Sequence, residues 1–404
     1  MKYFYVTSAR VPGRKAHCSQ IAQMCRAFSE AGLELELLHP ARSRHGDYRR
    51  ATVESWYGFD EFVPEKRLFC IDYVGRIPKF LPHRVTSIAY RIMVRTFTTS
   101  AIRYLRACPR ERYGLYSRDP KVLYQLIQAF PDQSSYLELH MLREKPAFPG
   151  ENALLAGVHG IIVVTHRMKT MLLERGVDED RILVEPNGVD PRSFPGSYDK
   201  LGARRVLSLN RERKYITFVG NFRALNVERG LDTLIRAIPA VTERHPDTTF
   251  LFVGGPVEQA STYQKELDAL GVDERNYRFL DRQPYDEIHL WLAASDILVH
   301  PIPEHPIYTN ITSPLKIFEY MTADRPIVAS DLPSIREILE HERNALLSPP
   351  GDVQTFAGAF IRLLDDRDLA RRLSREARRE ADNRTWKARA RRIKDWMDAG
   401  NCSR

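Results

Sequence analysis

Strand and helix patterns alternate along the second half of the chain, and this alternation limits the folds that it can adopt. Short apolar runs such as KYITFVG, TFLFVGG and DILVH are separated by helical segments such as LDTLIRAIPAV and YDEIHLWLAA. Parallel strands need long crossover connections, which are usually helices that cover the faces of the sheet. The pattern therefore predicts an α/β domain with a parallel sheet covered on both faces.

The first half of the chain shows the same alternation, with KYFYVTS, LELELL, SSYLELH and GIIVVTH as predicted strands. A chain of 404 residues is too long for one ordinary core, so two domains are expected. A polar, Pro- and Gly-containing stretch between the halves predicts a linker. The arginine-rich C-terminal end predicts a helix, and its two tryptophans indicate packing against the first domain. The predicted division is 1–195 for the first domain, 196–212 for the linker, 213–380 for the second domain and 381–404 for the returning helix.

The formal net charge of +9 is unevenly spread, because segment 76–112 contains many basic residues and one acid, Glu111. Part of it, from about residue 86 to 107, is predicted to be helical, with Ile88, Ile92, Val94, Phe97, Ile102 and Leu105 among the basic residues. Such a basic amphipathic helix favours binding to an anionic membrane surface. The alternatives are a solvated basic face, or a face that binds a phosphorylated or acidic substrate. No nucleic-acid-binding motif accompanies the charge, so nucleic acid is not expected.

Targeting and redox signals point to the cytoplasm. No apolar run approaches the roughly 20 residues that a membrane span needs, and the N-terminus predicts a first strand rather than a signal peptide. The five cysteines are odd in number and lack metal-binding spacing. A reducing compartment is therefore expected, with neither disulfides nor a structural zinc.

The stretch from Thr309 to Pro333, TNITSPLKIFEYMTADRPIVASDLP, carries the first candidate site. Ser313 and Pro314 are predicted as the N-cap and first position of a short helix, where each residue type is favoured. Lys316 and Glu319 then lie on one helix surface. A helix start beside a lysine is suited to an anion. Strand–loop–helix units with exposed Lys and Glu are common, and most bind nothing.

Two residues of the first half lie where ligands collect in open α/β sheets, at the carboxyl ends of predicted strands. Gly13 follows the first strand and permits close approach to a ligand, but an ordinary turn glycine is an equally good interpretation. His140 ends the strand SSYLELH and enters a loop. A histidine facing a cleft and a purely structural histidine are equally compatible with this position.

Several segments resemble the retaining glycosyltransferases of family 4, which have the GT-B fold. SPLKIFEYMTADRPIVASDLPSIREIL resembles the family's nucleotide-sugar motif, EPNGVDPRSF its hinge and FVGNFRALNVERGLDTLIRAI its first donor-domain unit. YSRDP, YLELH and PGRKAHCSQIAQMCRAF resemble parts of its acceptor domain. The resemblance implies two Rossmann-like doubly wound domains facing across a cleft, the first binding the acceptor and the second the nucleotide-sugar donor.

The resemblance also implies roles for individual residues. Glu319 corresponds to the ribose-binding carboxylate, and Ser313, Pro314 and Leu315 would offer backbone amides to the pyrophosphate beside Lys316. Arg223 and Arg229 correspond to cations that neutralise the leaving diphosphate, a route that needs no divalent metal and no cofactor beyond the donor. The remaining implied contacts are Gly13, Asn310 and Thr312 to the donor, His140 at the reaction centre, and Arg118 and Glu138 to the acceptor.

Two positions depart from the family pattern. The family often has a glutamate seven residues before the ribose-binding one, where it contacts the donor sugar. This chain has Ile311 there, so the identity of the sugar stays open. The basic residue that usually follows the first donor-domain strand is Asn221, and Arg223 is the candidate to compensate for it.

The sequence therefore predicts a hexosyltransferase-type enzyme that moves a sugar from a nucleotide-sugar to an acceptor hydroxyl with retention of configuration. The expected acceptor is a lipid-linked or cell-surface glycan precursor, and the expected location is the inner face of the cell membrane. Two alternatives stay open. One is a non-catalytic nucleotide-sugar- or membrane-binding subunit, and the other is a different GT-B activity such as nucleotide-sugar epimerisation.

Overall fold

The computed structural model describes residues 1–13, 15–41, 51–74, 77, 83–108, 112–193, 199–224, 227–284 and 287–402. The chain divides into two compact units. The first consists of Met1–Pro186 together with Trp386–Arg404, and the second of Asn187–Thr385. The bounds predicted from the sequence were 1–195 for the first domain and 381–404 for the returning helix.

The first unit is built on a seven-stranded parallel sheet with the order β3-β2-β1-β4-β5-β6-β7. Its strands are β1 Lys2–Val6, β2 Leu35–Pro40, β3 Glu65–Leu68, β4 Tyr113–Ser117, β5 Ser134–Leu139, β6 Gly160–Val163 and β7 Ile182–Val184. Its helices are α1 Ala16–Glu30, α2 Val53–Tyr57, α3 His83–Ala107, α4 Pro120–Ala129, α5 Glu151–Gly157, α6 His166–Leu173 and α16 Trp386–Cys402. Sequence patterning does not reveal α2 and β3, since β3 is a short, polar edge strand.

The second unit is built on a six-stranded parallel sheet with the order β12-β11-β8-β13-β14-β15, and a separate hairpin pairs β9 with β10. Its strands are β8 Lys214–Val219, β9 Arg223–Ala224, β10 Val227–Glu228, β11 Thr248–Val253, β12 Tyr277–Leu280, β13 Ile297–His300, β14 Ile327–Ser330 and β15 Leu346–Ser348. Its helices are α7 Lys200–Val206, α8 Leu231–Arg244, α9 Ala260–Ala269, α10 Ile288–Ala294, α11 Pro306–Asn310, α12 Leu315–Thr322, α13 Pro333–Arg336, α14 Val353–Asp365 and α15 Arg367–Asn383.

Both faces of the second sheet are covered, as the alternation predicts. Leu298 of β13 belongs to one apolar cluster, together with residues of α10, α12 and α13. Its neighbours Ile297 and Val299 belong to the other cluster, together with residues of α8, α9 and α14. Consecutive side chains of a strand point to opposite faces, so each face of the sheet has its own core.

The predicted linker, 196–212, differs from the structure over its described part. Lys200–Val206 forms α7, and its Ala203 is fully buried in a core cluster of the second unit. Arg204 is also buried and binds Asp296 through a 2.6 Å contact. The polar composition hid this helix from sequence patterning, because two of its basic residues, Lys200 and Arg204, form ion pairs with Asp296. Residues 196–198 lie outside the described residues.

Across the described residues, no helix is both long enough and apolar enough to cross a membrane. The predicted return of the C-terminal helix to the first unit is seen in α16. Trp396 packs edge-on against Tyr136 with ring centroids 6.0 Å apart, and the Tyr136 hydroxyl donates to the Met397 carbonyl at 3.2 Å.

Candidate functional site

The strand order of the second unit reverses between β8 and β13. The chain leaves β8 toward β11, whereas it leaves β13 toward β14, and the two strands are parallel neighbours. Ligands in open α/β sheets bind outside the carboxyl ends of the strands at such a reversal. The segments that follow these two strands contain the residues singled out from the sequence.

The loop after β8 is held tightly against the segment after β13. Gly230 has a φ of 82°, a left-handed conformation that favours glycine. A Cβ atom at Gly230 would lie 1.6 Å from the Pro301 carbonyl oxygen. The N–H of Arg229 donates to the Phe222 carbonyl at 3.2 Å. These contacts fix Arg229 beside the end of β13.

Helix α12 is fixed to the end of β8 through Tyr320. The Tyr320 hydroxyl accepts the N–H of Val219 at 3.0 Å. Lys316 therefore lies over the loop, since a Cβ atom at Gly220 would be 3.2 Å from its Cε. Glu319, in the same helix, is buried with 8% of its surface exposed.

Positive charge is concentrated at this point. Burial lowers the pKa of Lys316; Glu319 acts against that effect, and Arg229 adds to it. Burial, Arg229 and Lys316 together hold the pKa of His300 well below its ordinary value. The Arg229 guanidinium lies over the Tyr308 ring, 5.0 Å from its centroid.

Neither cation is neutralised by a direct partner within the part of the chain that the structure describes. There, the Lys316 ammonium and the Arg229 guanidinium have no hydrogen bond or ion pair. Partly buried cations are costly unless they are paired. An anion placed between them would relieve this cost, so the arrangement is suited to a negatively charged ligand.

The predicted start of the helix requires two corrections. The helix begins at Leu315 with Pro314 as its N-cap, so the prediction of Ser313 as the cap is wrong by one position. Ser313 instead accepts the N–H of Asn187 at its hydroxyl (2.9 Å) and the Asn187 side-chain amide at its carbonyl (2.6 Å). Pro314 has no N–H group, so it cannot offer the amide predicted for it. The backbone N–H groups of Leu315 and Lys316 are the first of the helix, and such groups have no acceptor within the helix itself.

The segment before α12 explains the unusual residue at the sugar position. Ile311 is buried, with 7% of its surface exposed, so its side chain is used for packing. Thr312 donates its hydroxyl to the Tyr308 carbonyl at 3.2 Å. Asn310 ends α11 and is partly exposed. Asn310 and Thr312, which are predicted to contact the donor, therefore lie on either side of a buried apolar residue.

Arg223 belongs to the short β9–β10 hairpin that follows β8, and its contact with the leaving diphosphate stays a prediction. Arg223 lies in the hairpin opposite Glu228, and its charge acts on Tyr263 of α9. A different arginine reaches Asn221, the position where the family usually has a basic residue and this chain does not. The Arg282 guanidinium donates to the Asn221 side-chain oxygen at 3.3 Å. Sequence reasoning missed Arg282 because it follows β12, far from the motif in sequence.

The first unit has its own reversal of strand order, between β1 and β4. Asp119, after β4, accepts the Thr7 hydroxyl at 2.8 Å and the Ser8 N–H at 2.5 Å. Gly13 donates its N–H to the Tyr57 hydroxyl at 3.0 Å, and the same hydroxyl donates to the Gly13 carbonyl at 2.8 Å. Both backbone polar groups of Gly13 thus bond to Tyr57, and the predicted contact of Gly13 with the nucleotide-sugar stays a prediction.

His140 belongs to a buried charged cluster at the end of β5. Its Nε2 lies 2.7 Å from Glu138 Oε1, and Arg389 of α16 also donates to that oxygen at 2.8 Å. Burial and the charge of Arg118 lower the pKa of His140 to about 4, although Glu138 opposes this effect. Glu138 is 1% exposed, which leaves no surface for the acceptor contact predicted for it. Arg118 donates to the Gln20 side chain at 3.0 Å.

The structure thus brings together Arg229, Lys316, Glu319 and the start of α12 in the second unit. In the first unit it joins His140 and Glu138. Asn187, Arg282 and Arg389 carry no local sequence signal, because each acts on a partner distant along the chain. Across the described residues, no group of His, Cys, Asp or Glu side chains is arranged to hold a metal ion.

Two protein-family models match separate parts of this chain. The model described as Glycosyltransferase Family 4 matches residues 19–193. The model described as Glycosyl transferases group 1 matches residues 213–366. The first model covers most of the first unit and the second covers the sheet of the second unit, so both halves of the molecule have the same kind of relatives.

Named relatives and solved structures agree with these matches. D-inositol 3-phosphate glycosyltransferase from Salinispora tropica is 29% identical over 62% of this chain and 52% of its own length. The enzyme of the same name from Nocardia farcinica is 30% identical over 59% of this chain and 52% of its own length. The chain therefore spans about half the length of these relatives.

Among solved structures, Anabaena Alr3699/HepE in complex with UDP has a TM-score of 0.69 and 17% identity, covering 99% of this chain and 100% of its own. Sucrose-phosphate synthase from Thermosynechococcus elongatus has a TM-score of 0.74 and 18% identity, with both chains fully covered. Likeness at this level of identity shows a shared fold.

Proposed function

We propose, since this chain belongs to the family 4 glycosyltransferases and has the GT-B fold, that it transfers a sugar from a nucleotide-sugar to an acceptor hydroxyl with retention of anomeric configuration. The bond between the anomeric carbon and the diphosphate breaks, and a bond from the acceptor oxygen to that carbon forms on the same face. The acceptor proton passes to the leaving diphosphate.

The observation that carries this proposal is the pair of cations at the start of α12, Lys316 and Arg229, for which the described residues supply no direct hydrogen-bond or ion-pair partner. Arg229 lies near enough to Lys316 to lower its pKa, and the first N–H groups of α12 are beside them. Negative charge develops on the departing diphosphate in the transition state. Fixed cations and helix N–H groups aimed at that charge lower the barrier without reorganisation. In this proposal Glu319 binds the ribose hydroxyls.

The remaining roles extend the same proposal. Arg282 stands in for the cation that the family pattern places after β8, and Asn310 and Thr312 contact the donor. His140 acts at the reaction centre as a neutral imidazole, in keeping with its low pKa. Protein cations neutralise the leaving group, so we expect chelation of divalent ions to leave the rate unchanged.

A donor panel tests the activity. Purified protein is incubated with UDP-, GDP- and ADP-sugars and a lipid-linked glycan acceptor, and release of nucleoside diphosphate is measured. We expect acceptor-dependent release with one of the donors, and an anomeric configuration in the product equal to that of the donor. Lys316→Ala should lower kcat by about 10²- to 10³-fold, as loss of a group that stabilises transition-state charge does.

Lys265→Ala is the matched control, because Lys265 lies exposed on α9 and should leave kcat unchanged. Tight nucleotide binding without turnover of any donor would replace the transferase proposal by a non-catalytic binding subunit. Exchange of sugar configuration without transfer would indicate an epimerase.

We also propose that the first unit binds an anionic membrane surface at the inner face of the cell membrane, and that the acceptor is lipid-linked. The supporting observation is the outer face of α3. Ile88 and Ile92 are 51% and 41% exposed, whereas Phe97 and Leu105 are buried in the core. The sequence pattern predicted these apolar residues among basic ones on a single helix, and the structure divides them between an exposed and a buried side of α3.

Basic and apolar groups alternate on this outer face. Arg84, Arg91 and Arg95 are exposed beside the exposed isoleucines, and α3 contains no acidic residue. The loop after β3 adds Phe69, with 68% of its surface exposed, and it runs along α3, since the Ile71 N–H donates to Thr96 at 3.0 Å. Exposed apolar patches with this charge mark membrane interaction sites.

Sedimentation with vesicles tests the membrane proposal. We expect binding to vesicles that contain phosphatidylglycerol and not to pure phosphatidylcholine, with weaker binding at high salt. The double variant Arg91→Ser/Arg95→Ser should bind roughly 10- to 30-fold more weakly, at about 1 kcal/mol for each charge. Leu201→Ser, at an exposed position of α7, is the matched control. Equal binding by the double variant and the control would contradict the proposal.

A further inference from the structure

A carboxylate, a guanidinium and a phenol are packed together beneath His140. Glu138 and Arg389 each have about 1% of their side-chain surface exposed and lie 2.8 Å apart. The Tyr116 hydroxyl donates to the other oxygen of Glu138 at 2.6 Å. A buried charge pair persists only when its remaining polar groups are also satisfied. Both carboxylate oxygens of Glu138 meet that condition.

Arg389 is fixed from a second side by the end of β7. Its Nε donates to the Pro186 carbonyl at 2.8 Å, and its Nη2 also donates to the Glu185 carbonyl at 3.2 Å. Three residues further along α16, Arg392 binds both oxygens of Glu185 at 2.7 and 2.8 Å. These bonds hold the guanidinium of Arg389 against Glu138.

The contact between Glu138 and His140 defines where the imidazole proton resides. His140 is neutral at neutral pH, because burial and Arg118 lower its pKa to about 4. A carboxylate accepts hydrogen bonds and cannot donate them. The 2.7 Å contact with Glu138 therefore requires the proton on Nε2, which leaves Nδ1 as an acceptor.

We infer that Arg389 is a positioning residue, delivered by the C-terminal helix, that keeps Glu138 ionised and so fixes His140 as the Nε2–H tautomer. This inference deepens the proposed function, since it rests on the action of His140 at the reaction centre. The titratable or charged groups that are electrostatically coupled to Glu138 or His140 from the packed elements are Tyr5 of β1, Cys25 of α1, Tyr116 of β4, Arg118 after β4, and Arg389 of α16.

Removal of the guanidinium should reverse the hydrogen bond. In Arg389→Met the buried Glu138 loses its main positive neighbour, because Arg389 is the strongest of the charges that lower its pKa. The carboxyl group then takes a proton from solvent at neutral pH and donates it in a hydrogen bond to His140 Nε2. The imidazole proton moves to Nδ1, so the free side of the ring becomes a donor. At higher pH Glu138 ionises again and the original tautomer returns.

Nitrogen NMR of ¹⁵N-histidine-labelled full-length protein tests the inference directly. His140→Gln identifies the resonance among the 12 histidines. We expect wild type to show the Nε2–H tautomer from about pH 6 to about pH 9, and Arg389→Met to show Nδ1–H at the lower end of that range. Arg392→Met is the matched control, because it removes a charge from α16 without touching Glu138. An Nδ1–H tautomer in wild type would overturn the inference even if Arg389→Met does not fold.

Turnover gives a second readout. Arg389→Met should lower kcat roughly 10- to 100-fold at neutral pH, the range found when a partner that orients a metal-bound histidine is removed. Activity should recover as pH rises, whereas Glu138→Gln, which cannot ionise, should show no recovery. Arg389→Lys should keep most of the wild-type rate. Loss of rate without pH recovery in Arg389→Met would indicate a merely structural role.

The two proposals fail separately. If wild type releases no nucleoside diphosphate from any donor while the tautomer behaves as described, the proposed function fails and the positioning role stands. If transfer occurs but the tautomer is unaffected by Arg389→Met, only the positioning role fails.

Discussion

Lys316 carries its charge in surroundings that disfavour it. Burial lowers its pKa, Arg229 lowers it further, and only Glu319 acts in the opposite direction. An anion bound beside the ammonium group would favour the charged form and raise this pKa. Binding of a diphosphate and protonation of Lys316 should therefore be linked.

Because the pKa of Lys316 is lowered, the affinity for nucleoside diphosphate should depend on pH. A lysine with a lowered pKa loses its charge at lower pH than an ordinary lysine does, so affinity for nucleoside diphosphate should fall on the alkaline side. Lys316→Arg keeps its charge at all accessible pH values and should abolish this fall. Titration calorimetry at increasing pH measures both effects. An affinity that is independent of pH in wild type would contradict the linkage.

Some residues of the site could be assigned from the sequence, whereas the role of others could not. Lys316 and Glu319 could be assigned because both belong to one short motif whose helical spacing is visible in sequence. The cap at Ser313 was wrong because its hydroxyl has a distant competitor, the N–H of Asn187. No periodicity or propensity reveals a contact between residues 126 positions apart.

At the scale of elements, the loop between β8 and α8 depends on one glycine. Gly230 has positive φ, and its backbone touches Pro301 after β13. Glu228 accepts the N–H of Leu231 at 2.6 Å and so closes the start of α8. The backbone of Gly230 and the side chain of Glu228 therefore both determine the loop conformation that positions Arg229.

Gly230→Ala should destabilise the second unit by at least about 1 to 2 kcal/mol from the left-handed backbone alone, with a further cost from the contact with Pro301. Gly358→Ala is the matched control. Gly358 lies exposed inside α14 with nothing near its missing side chain, so alanine should stabilise the protein by about 0.5 to 1 kcal/mol. Thermal unfolding of both variants measures these changes. Equal stability of the two would contradict the account of the loop.

Most helices and strands could be predicted from their periodicity, but two elements show its limits. For α3, the pattern identified the helix and could not determine which of two apolar stripes enters the core, since Ile88 and Phe97 are both apolar. For α7, burial of Arg204 against Asp296 removed the apolar signal. In both cases tertiary contacts decided what local sequence left open.

At the scale of the whole molecule, helix α16 near the C-terminus packs into the first unit, which is otherwise formed by residues 1–186. α16 supplies Arg389 to Glu138, which is 251 residues away in sequence, and Trp396 to the ring of Tyr136. The two tryptophans predicted the packing of this helix, and nothing in the sequence predicted the partner of Arg389. The alternation of strands and helices was predictable because each α/β unit is local.

Deletion of residues 386–404 should therefore destabilise the first unit selectively. It leaves the carboxylate of Glu138 buried without its cation, which typically costs about 3 to 5 kcal/mol, and removes the packing of Trp396. Hydrogen exchange should show faster exchange in β5 and β6, while β8 and β11 of the second unit keep their protection. Uniform loss of protection across both units would contradict this assignment.

The central claim is that the start of α12, with Lys316 and Arg229, holds the diphosphate of a nucleotide-sugar. Calorimetric titration with UDP, GDP and ADP into wild type and Arg229→Ala/Lys316→Ala tests it most directly, with Lys265→Ala as the control. The account predicts binding of one of these nucleotides by wild type and the control, and at least about 100-fold weaker binding by the double variant, since hydrogen bonds to charged groups contribute about 1.5 to 3 kcal/mol each. Equal affinity in all three proteins would contradict it.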